Sequence, residues 1–164
     1  MFAPTRYIAW VLQFYGQVPY DLASSGIPSV KWTELGLAPP DIDDPNAYAA
    51  LVNAIARYND VTPAEVAPAL GTSNAIFLAY ASTLSAGDEL LVEHPGYEPL
   101  TRAAEGLGVT VRTFERRADE GFRVVPERVA AAIGPRTRAI VVTTLHNPTG
   151  VRVDEATIRE LAAI

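Results

Sequence analysis

The 164 residues amount to about one domain, or to part of a larger one. An apolar share of 49% with 20% charged residues is that of a globular chain, and 11 glycines with 13 prolines fall short of the roughly 25–30% share that marks low-complexity sequence, so disorder and fibrous architectures are excluded. Nineteen acidic against thirteen basic side chains leave a formal charge of -6, which repels a phosphate backbone, and no nucleic-acid partner is expected.

With no cysteine there can be no disulfide framework, thiolate metal site or cysteine nucleophile, and the cytoplasm is the expected compartment. Two histidines without metal-ligand spacing predict no metal site. The most apolar stretch near the start, Tyr7 to Tyr15, is interrupted by Gln13 and lacks a small-residue cleavage site, so it does not read as a signal peptide. No run approaches the roughly 18 apolar residues of a membrane span, and a soluble protein without a membrane partner is expected.

Ile8, Leu12 and Tyr15 recur at helical spacing and predict a short helix over Thr5 to Tyr15, ended by Gly16. From Gln17 to Asp44 prolines and glycines recur without periodicity, as in an extended arm that lies on a body. Asp44 and Pro45 predict the cap and first residue of a second helix ending near Asn59. Thr62-Pro63-Ala64-Glu65 has the spacing of a capping box over a brief turn, and Val66 to Leu70 reads as a short edge strand carrying Pro68. Ser73 to Leu84 is nearly all small or apolar, as in a helix buried on most sides.

An alternation follows: strand Glu89 to Glu93, helix Glu98 to Leu107, strand Val109 to Phe114, helix Pro126 to Ile133, strand Arg138 to Thr144, and a helix from Glu155 capped by Asp154. This order predicts an α/β fold, a mainly parallel sheet flanked by helices, with Ile140-Val141-Val142 covered on both faces. The apolar stripe of the last helix is still repeating at Ile164, which suggests a fragment. The charged clusters Glu115-Arg116-Arg117 and Asp119-Glu120 read as a solvated loop.

Three segments could carry chemistry. Gly71-Thr72-Ser73-Asn74-Ala75 opens a helix, where free N–H groups, the positive dipole end and two hydroxyls suit a phosphate, although serine and threonine cap many helices that bind nothing. The same five residues are one substitution from a Gly-x-Ser-x-Gly elbow, which would make Ser73 the nucleophile of a serine hydrolase with His146 as its base. Glu93-His94-Pro95-Gly96-Tyr97 places Tyr97 at the carboxyl end of a strand, to stack on a flat ring or to pack as core. His146-Asn147-Pro148-Thr149-Gly150 is a turn past another strand end and brings the Asn147 amide to the same edge.

In this order, with Ser25-Gly26-Ile27-Pro28 in the arm and Ala86-Gly87-Asp88-Glu89-Leu90-Leu91-Val92 before the tyrosine, these motifs resemble the class I and II aminotransferases, pyridoxal-phosphate enzymes of fold type I. The resemblance implies that residues 1–44 are an N-terminal helix and arm, and that 45–164 are the amino-terminal part of the large cofactor-binding domain. It implies that the Thr72 and Ser73 amides and the Ser73 hydroxyl hold the cofactor phosphate, that Tyr97 stacks on the pyridine ring, that Asn147 donates to the ring oxygen, and that Gly26 lies beside the substrate. It makes His94-Pro95 and Asn147-Pro148 candidates for cis peptides. The implied activity moves an amino group between an amino acid and a 2-oxo acid in a homodimer. The family's Schiff-base lysine follows the Asn-Pro-Thr-Gly motif. The sole lysine here, Lys31, precedes it, so no catalytic residue is assigned and the chain alone is expected to be inactive. A non-catalytic binding or assembly module is the third alternative, besides the serine hydrolase.

Overall fold

The structure, a computed structural model, describes residues 3–20, 30–39 and 43–164. The chain divides into two compact units, Met1–Gln13 with Leu70–Ile164, and Phe14–Ala69. The second unit contains helix α2, Ala47–Asn59. It starts later than Asp44-Pro45 predicts, because Asp44 instead closes a turn, its side chain accepting from Asn46 N (2.8 Å) and its carbonyl from Ala47 N (3.1 Å). Thr62 and Glu65 form the expected capping contact, Thr62 N donating to the Glu65 carboxylate at 2.8 Å over a single turn, Pro63–Glu65. No strand forms over 66–70, where the Pro68 nitrogen has no proton to give a ladder.

The first unit contains α1 (Arg6–Val11), α3 (Gly71–Thr83), β1 (Glu89–His94), α4 (Glu98–Gly106), β2 (Thr110–Glu115), α5 (Pro126–Ala132), β3 (Thr137–Val141) and α6 (Glu155–Ala162). Helix α1 is shorter than its apolar spacing predicts, since Leu12 and Tyr15 are exposed and share no buried face that would extend it. The sheet order is β2-β1-β3 and both pairings are parallel, as the alternating sequence predicts.

Because β1 is central, Leu90, Leu91 and Val92 are all buried, and their alternation assigns them to opposite faces. Leu90 and Val92 join Tyr80, Leu84, Leu100 and Ala104 in a core under α3 and α4. Leu91 joins Phe114, Val124, Val129 and Val153 on the α5 and α6 side. Residues 140–142, expected to be covered on both faces, are only half-buried, because β3 ends the described sheet and has a neighbour on one side alone. Asp154 caps α6 through Thr157 N (2.8 Å), and this hydrogen bond holds its carboxyl below the usual range. Among the described residues no helix is long and apolar enough to cross a membrane.

Candidate functional site

Helix α3 opens at Gly71, whose φ of +80° places it in the left-handed region and whose missing Cβ leaves no atom within 4 Å. Asn74 Oδ1 reaches back to Leu70 N (3.0 Å), but no side chain caps the helix and its first turn has no acid. The exposed Thr72 and Ser73 thus flank a positive dipole end with open space in front of it. That chemistry fits a phosphate dianion, which could approach the amides closely and accept from both hydroxyls. Ser73 lines a hollow of about 210 Å³ with Thr5, Phe77, Pro99 and Arg102.

At the carboxyl end of β1 the chain turns sharply through a cis His94-Pro95 bond. A Cβ on Gly96 would meet the Glu93 carbonyl oxygen at 2.6 Å, so only glycine permits this path. Tyr97 follows as the N-cap of α4. It packs in part against the Tyr80–Leu90–Val92 core and lines a second hollow, also about 210 Å³, with His94, Gly96 and Thr113.

Past β3 the loop runs through cis peptides at Thr144-Leu145 and Asn147-Pro148. His146 is buried, its Nε2 2.8 Å from the Pro95 carbonyl oxygen and its Nδ1 2.6 Å from Thr149 Oγ1. A carbonyl only accepts, so Nε2 carries a proton. Glu93, likewise buried, accepts from Arg116 Nη1 (2.7 Å) on one oxygen and from Thr143 N (2.8 Å) and the Thr143 hydroxyl on the other. Thr143 Oγ1 in turn accepts from Asn147 N at 3.1 Å. The loop bearing Tyr97 and the loop bearing Asn147 are therefore stitched together at the carboxyl edge of adjacent strands, where open α/β sheets bind ligands.

Arg116 is not part of a solvated loop: it is 2% exposed, and its Nε donates to the Phe122 carbonyl at 2.6 Å. Phe114 and Arg116 are inward while Glu115 and Arg117 are outward. Arg112 and Thr113 are both exposed, so β2 does not alternate regularly, and no sequence signal marks Arg116, Glu93 or Thr143.

Of the predicted site residues, Tyr97 and Asn147 are on adjoining loops. Ser73 and Tyr97 line different hollows, Ser73 sharing its own with Pro99 and Arg102 of the helix that Tyr97 caps. Gly26 lies outside the described residues. Lys31 is exposed. A serine nucleophile at position 73 lacks both supports: no strand leads into α3, and both ring nitrogens of His146 are engaged within its own loop and with Pro95.

The profile of the class I and II aminotransferases matches residues 42–164. The chain is 39% identical over 128 residues to a probable aspartate/prephenate aminotransferase of Thermus aquaticus, covering 75% of this chain and 33% of that protein. It is 30% identical over 162 residues to the capreomycidine synthase of Streptomyces vinaceus, covering 88% and 41% respectively. Its fold matches a tetra mutant of the Thermus thermophilus aspartate aminotransferase with a TM-score of 0.66 and 34% identity, over 69% of this chain and 33% of the other. The chain thus spans about a third of the length of the aspartate/prephenate aminotransferases it matches. With its parallel sheet, stitched carboxyl-edge loops and these likenesses together, the chain belongs to the class I and II aminotransferase family.

Proposed function

We propose that residues 1–164 form the amino-terminal part of a pyridoxal-phosphate-dependent aminotransferase that moves an amino group between an amino acid and a 2-oxo acid, in the cytoplasm and as a homodimer. The observation that carries this is the joining of the Tyr97 and Asn147 loops at one sheet edge within the segment that matches the family. Class I and II aminotransferases use pyridoxal phosphate. Bound, that cofactor draws electrons from the bond broken at the substrate's α-carbon.

The chain's own residues bind and orient. The Thr72 and Ser73 amides and the Ser73 hydroxyl would hold the phosphate, using the uncapped start of α3. Tyr97 would present its ring to the pyridine, and Asn147 would donate its side-chain amide to the ring oxygen. Gly26 would border the substrate. Residues 45–164 are then the amino-terminal part of the cofactor domain and 1–44 the helix and arm. Lys31, the sole lysine of these residues, precedes both loops and is not assigned as the cofactor's covalent anchor.

The test is transfer of an amino group from an amino acid to a 2-oxo acid by the full-length protein that contains these residues. Ser73→Ala is expected to weaken pyridoxal phosphate binding about tenfold in equilibrium dialysis, the value of one hydrogen bond to a charged group. Undetectable cofactor binding by folded protein would refute the proposal.

A further inference from the structure

We propose that Glu93 and Thr143 are positioning residues for Asn147, a role that rests on the cofactor assignment above. Asn147 is exposed on a loop, where an amide meant to meet a ring oxygen would otherwise wander. Two anchors flank it. On one side His146 is pinned to the Pro95 carbonyl at 2.8 Å. On the other, Asn147 N donates to Thr143 Oγ1 at 3.1 Å.

The direction of that second tie is forced. Glu93 has a fully buried side chain, and both of its oxygens already accept from N–H groups, one from the Arg116 guanidinium at 2.7 Å and the other from Thr143 N. The Thr143 hydroxyl beside it must donate to the carboxylate, and its lone pairs are left to face the Asn147 N–H. The Thr143 N–H donates to the same carboxylate oxygen at 2.8 Å, so the residue cannot rotate away as a unit. A relay therefore runs from a guanidinium at the end of β2, through a carboxylate at the end of β1, to the backbone of the loop after β3. The charge holds the hydroxyl, and the hydroxyl holds the loop. Mere bracing of two strands would not need an ion pair, since an apolar pair of similar volume braces as well. Only a group that accepts on one side and donates on the other can do what Thr143 does here.

Thr143→Val keeps the volume and removes the hydroxyl; Thr143→Ser keeps the hydroxyl and removes the methyl. Both are made in the full-length protein and titrated with pyridoxal phosphate and with deoxypyridoxal phosphate, which lacks the ring hydroxyl. Thr143→Val should weaken pyridoxal phosphate about tenfold, leave the deoxy analogue within about twofold, and speed hydrogen exchange at the Asn147 amide, while Thr143→Ser matches the wild type in all three. Equal weakening of both ligands, or unchanged binding of pyridoxal phosphate in Thr143→Val, would overturn the role. Should wild-type protein bind neither ligand, the cofactor assignment itself fails, and the positioning role with it.

Discussion

Strand β1 has a buried glutamate at each end, and the two are treated differently. At the carboxyl end both oxygens of Glu93 are bonded, to Arg116 and to Thr143, and the whole group is dry. At the amino end Glu89 meets Arg136 at 3.1 Å and Arg112 at 3.6 Å, two arginines that reach in from solvent, and its Oε2 has no hydrogen bond. Glu89 ties β1 to its neighbours near residues 112 and 136 and touches no candidate site residue. Glu93 joins the same neighbours at the other end and also fixes two loops that carry Tyr97 and Asn147. The costlier, fully desolvated ion pair stands at the end that carries the proposed cofactor loops.

The largest expected effect breaks the dry pair. Arg116→Met leaves the Glu93 charge buried without a counter-ion and should cost about 3–5 kcal/mol in urea unfolding. Glu93→Met combined with Arg116→Met should recover most of that loss, because no bare charge remains. If the double variant also bound pyridoxal phosphate like the wild type, the carboxyl end would be no more than a strand brace, and the contrast with Glu89 would vanish.

How much of this was legible in the sequence follows the range of the interactions. The β-α-β-α-β order shows because elements announce themselves locally, as in the apolar run Leu90-Leu91-Val92 and the cap at Asp154. The candidate site shows as three motifs at element boundaries. The pair Glu93–Arg116 does not, since its partners are 23 positions apart and each sits among other charged or polar residues. The edge strand over 66–70 fails for the opposite reason: a short apolar stretch satisfies the pattern but, with Pro68, offers no complete ladder.

Tyr80 sharpens the comparison from within the core. Tyr80 belongs to α3, its hydroxyl is buried without a hydrogen-bond partner, and burial pushes its pKa up to about 12. Tyr80→Phe should raise stability by about 1 kcal/mol, as expected for removing an unsatisfied polar group that holds nothing in place. The unfolded tyrosine ionises near the ordinary value of 10.0, below the folded value. Between the two, the unfolded state has lost a proton that the folded state keeps, so stability falls as pH rises through that window. In Tyr80→Phe this alkaline loss should be smaller in pH-dependent urea titrations.

A smaller effect is expected at the amino end, where Arg136→Met should cost less than about 1 kcal/mol, because the arginine side chain is 64% exposed and Glu89 keeps Arg112 nearby. A loss as large as that of Arg116→Met would show that the two glutamates are equivalent after all.

The smallest effect concerns a carboxylate at the surface, Glu98, which accepts from Tyr7 N at 3.3 Å and so ties α1 to the start of α4. Burial works to raise its pKa, but hydrogen bonds from the Arg6 and Tyr7 amides and from Arg102 outweigh it and hold the carboxyl below the usual range. A depressed carboxyl contributes its stability above the unfolded value and loses it as pH falls through the folded one. Acidification should therefore lower the protection of the Tyr7 amide against exchange, relative to its intrinsic rate at each pH, before it lowers that of Leu91 in the centre of β1. Glu98→Ala should lower the protection of the Tyr7 amide in the same way at neutral pH. Because the tie reaches only a six-residue helix, the midpoint of global unfolding should move less than in Arg136→Met. A larger shift would mean that α1 belongs to the cooperative core, and that a partly buried carboxylate at the start of α4 holds more structure than Glu89 does with Arg136.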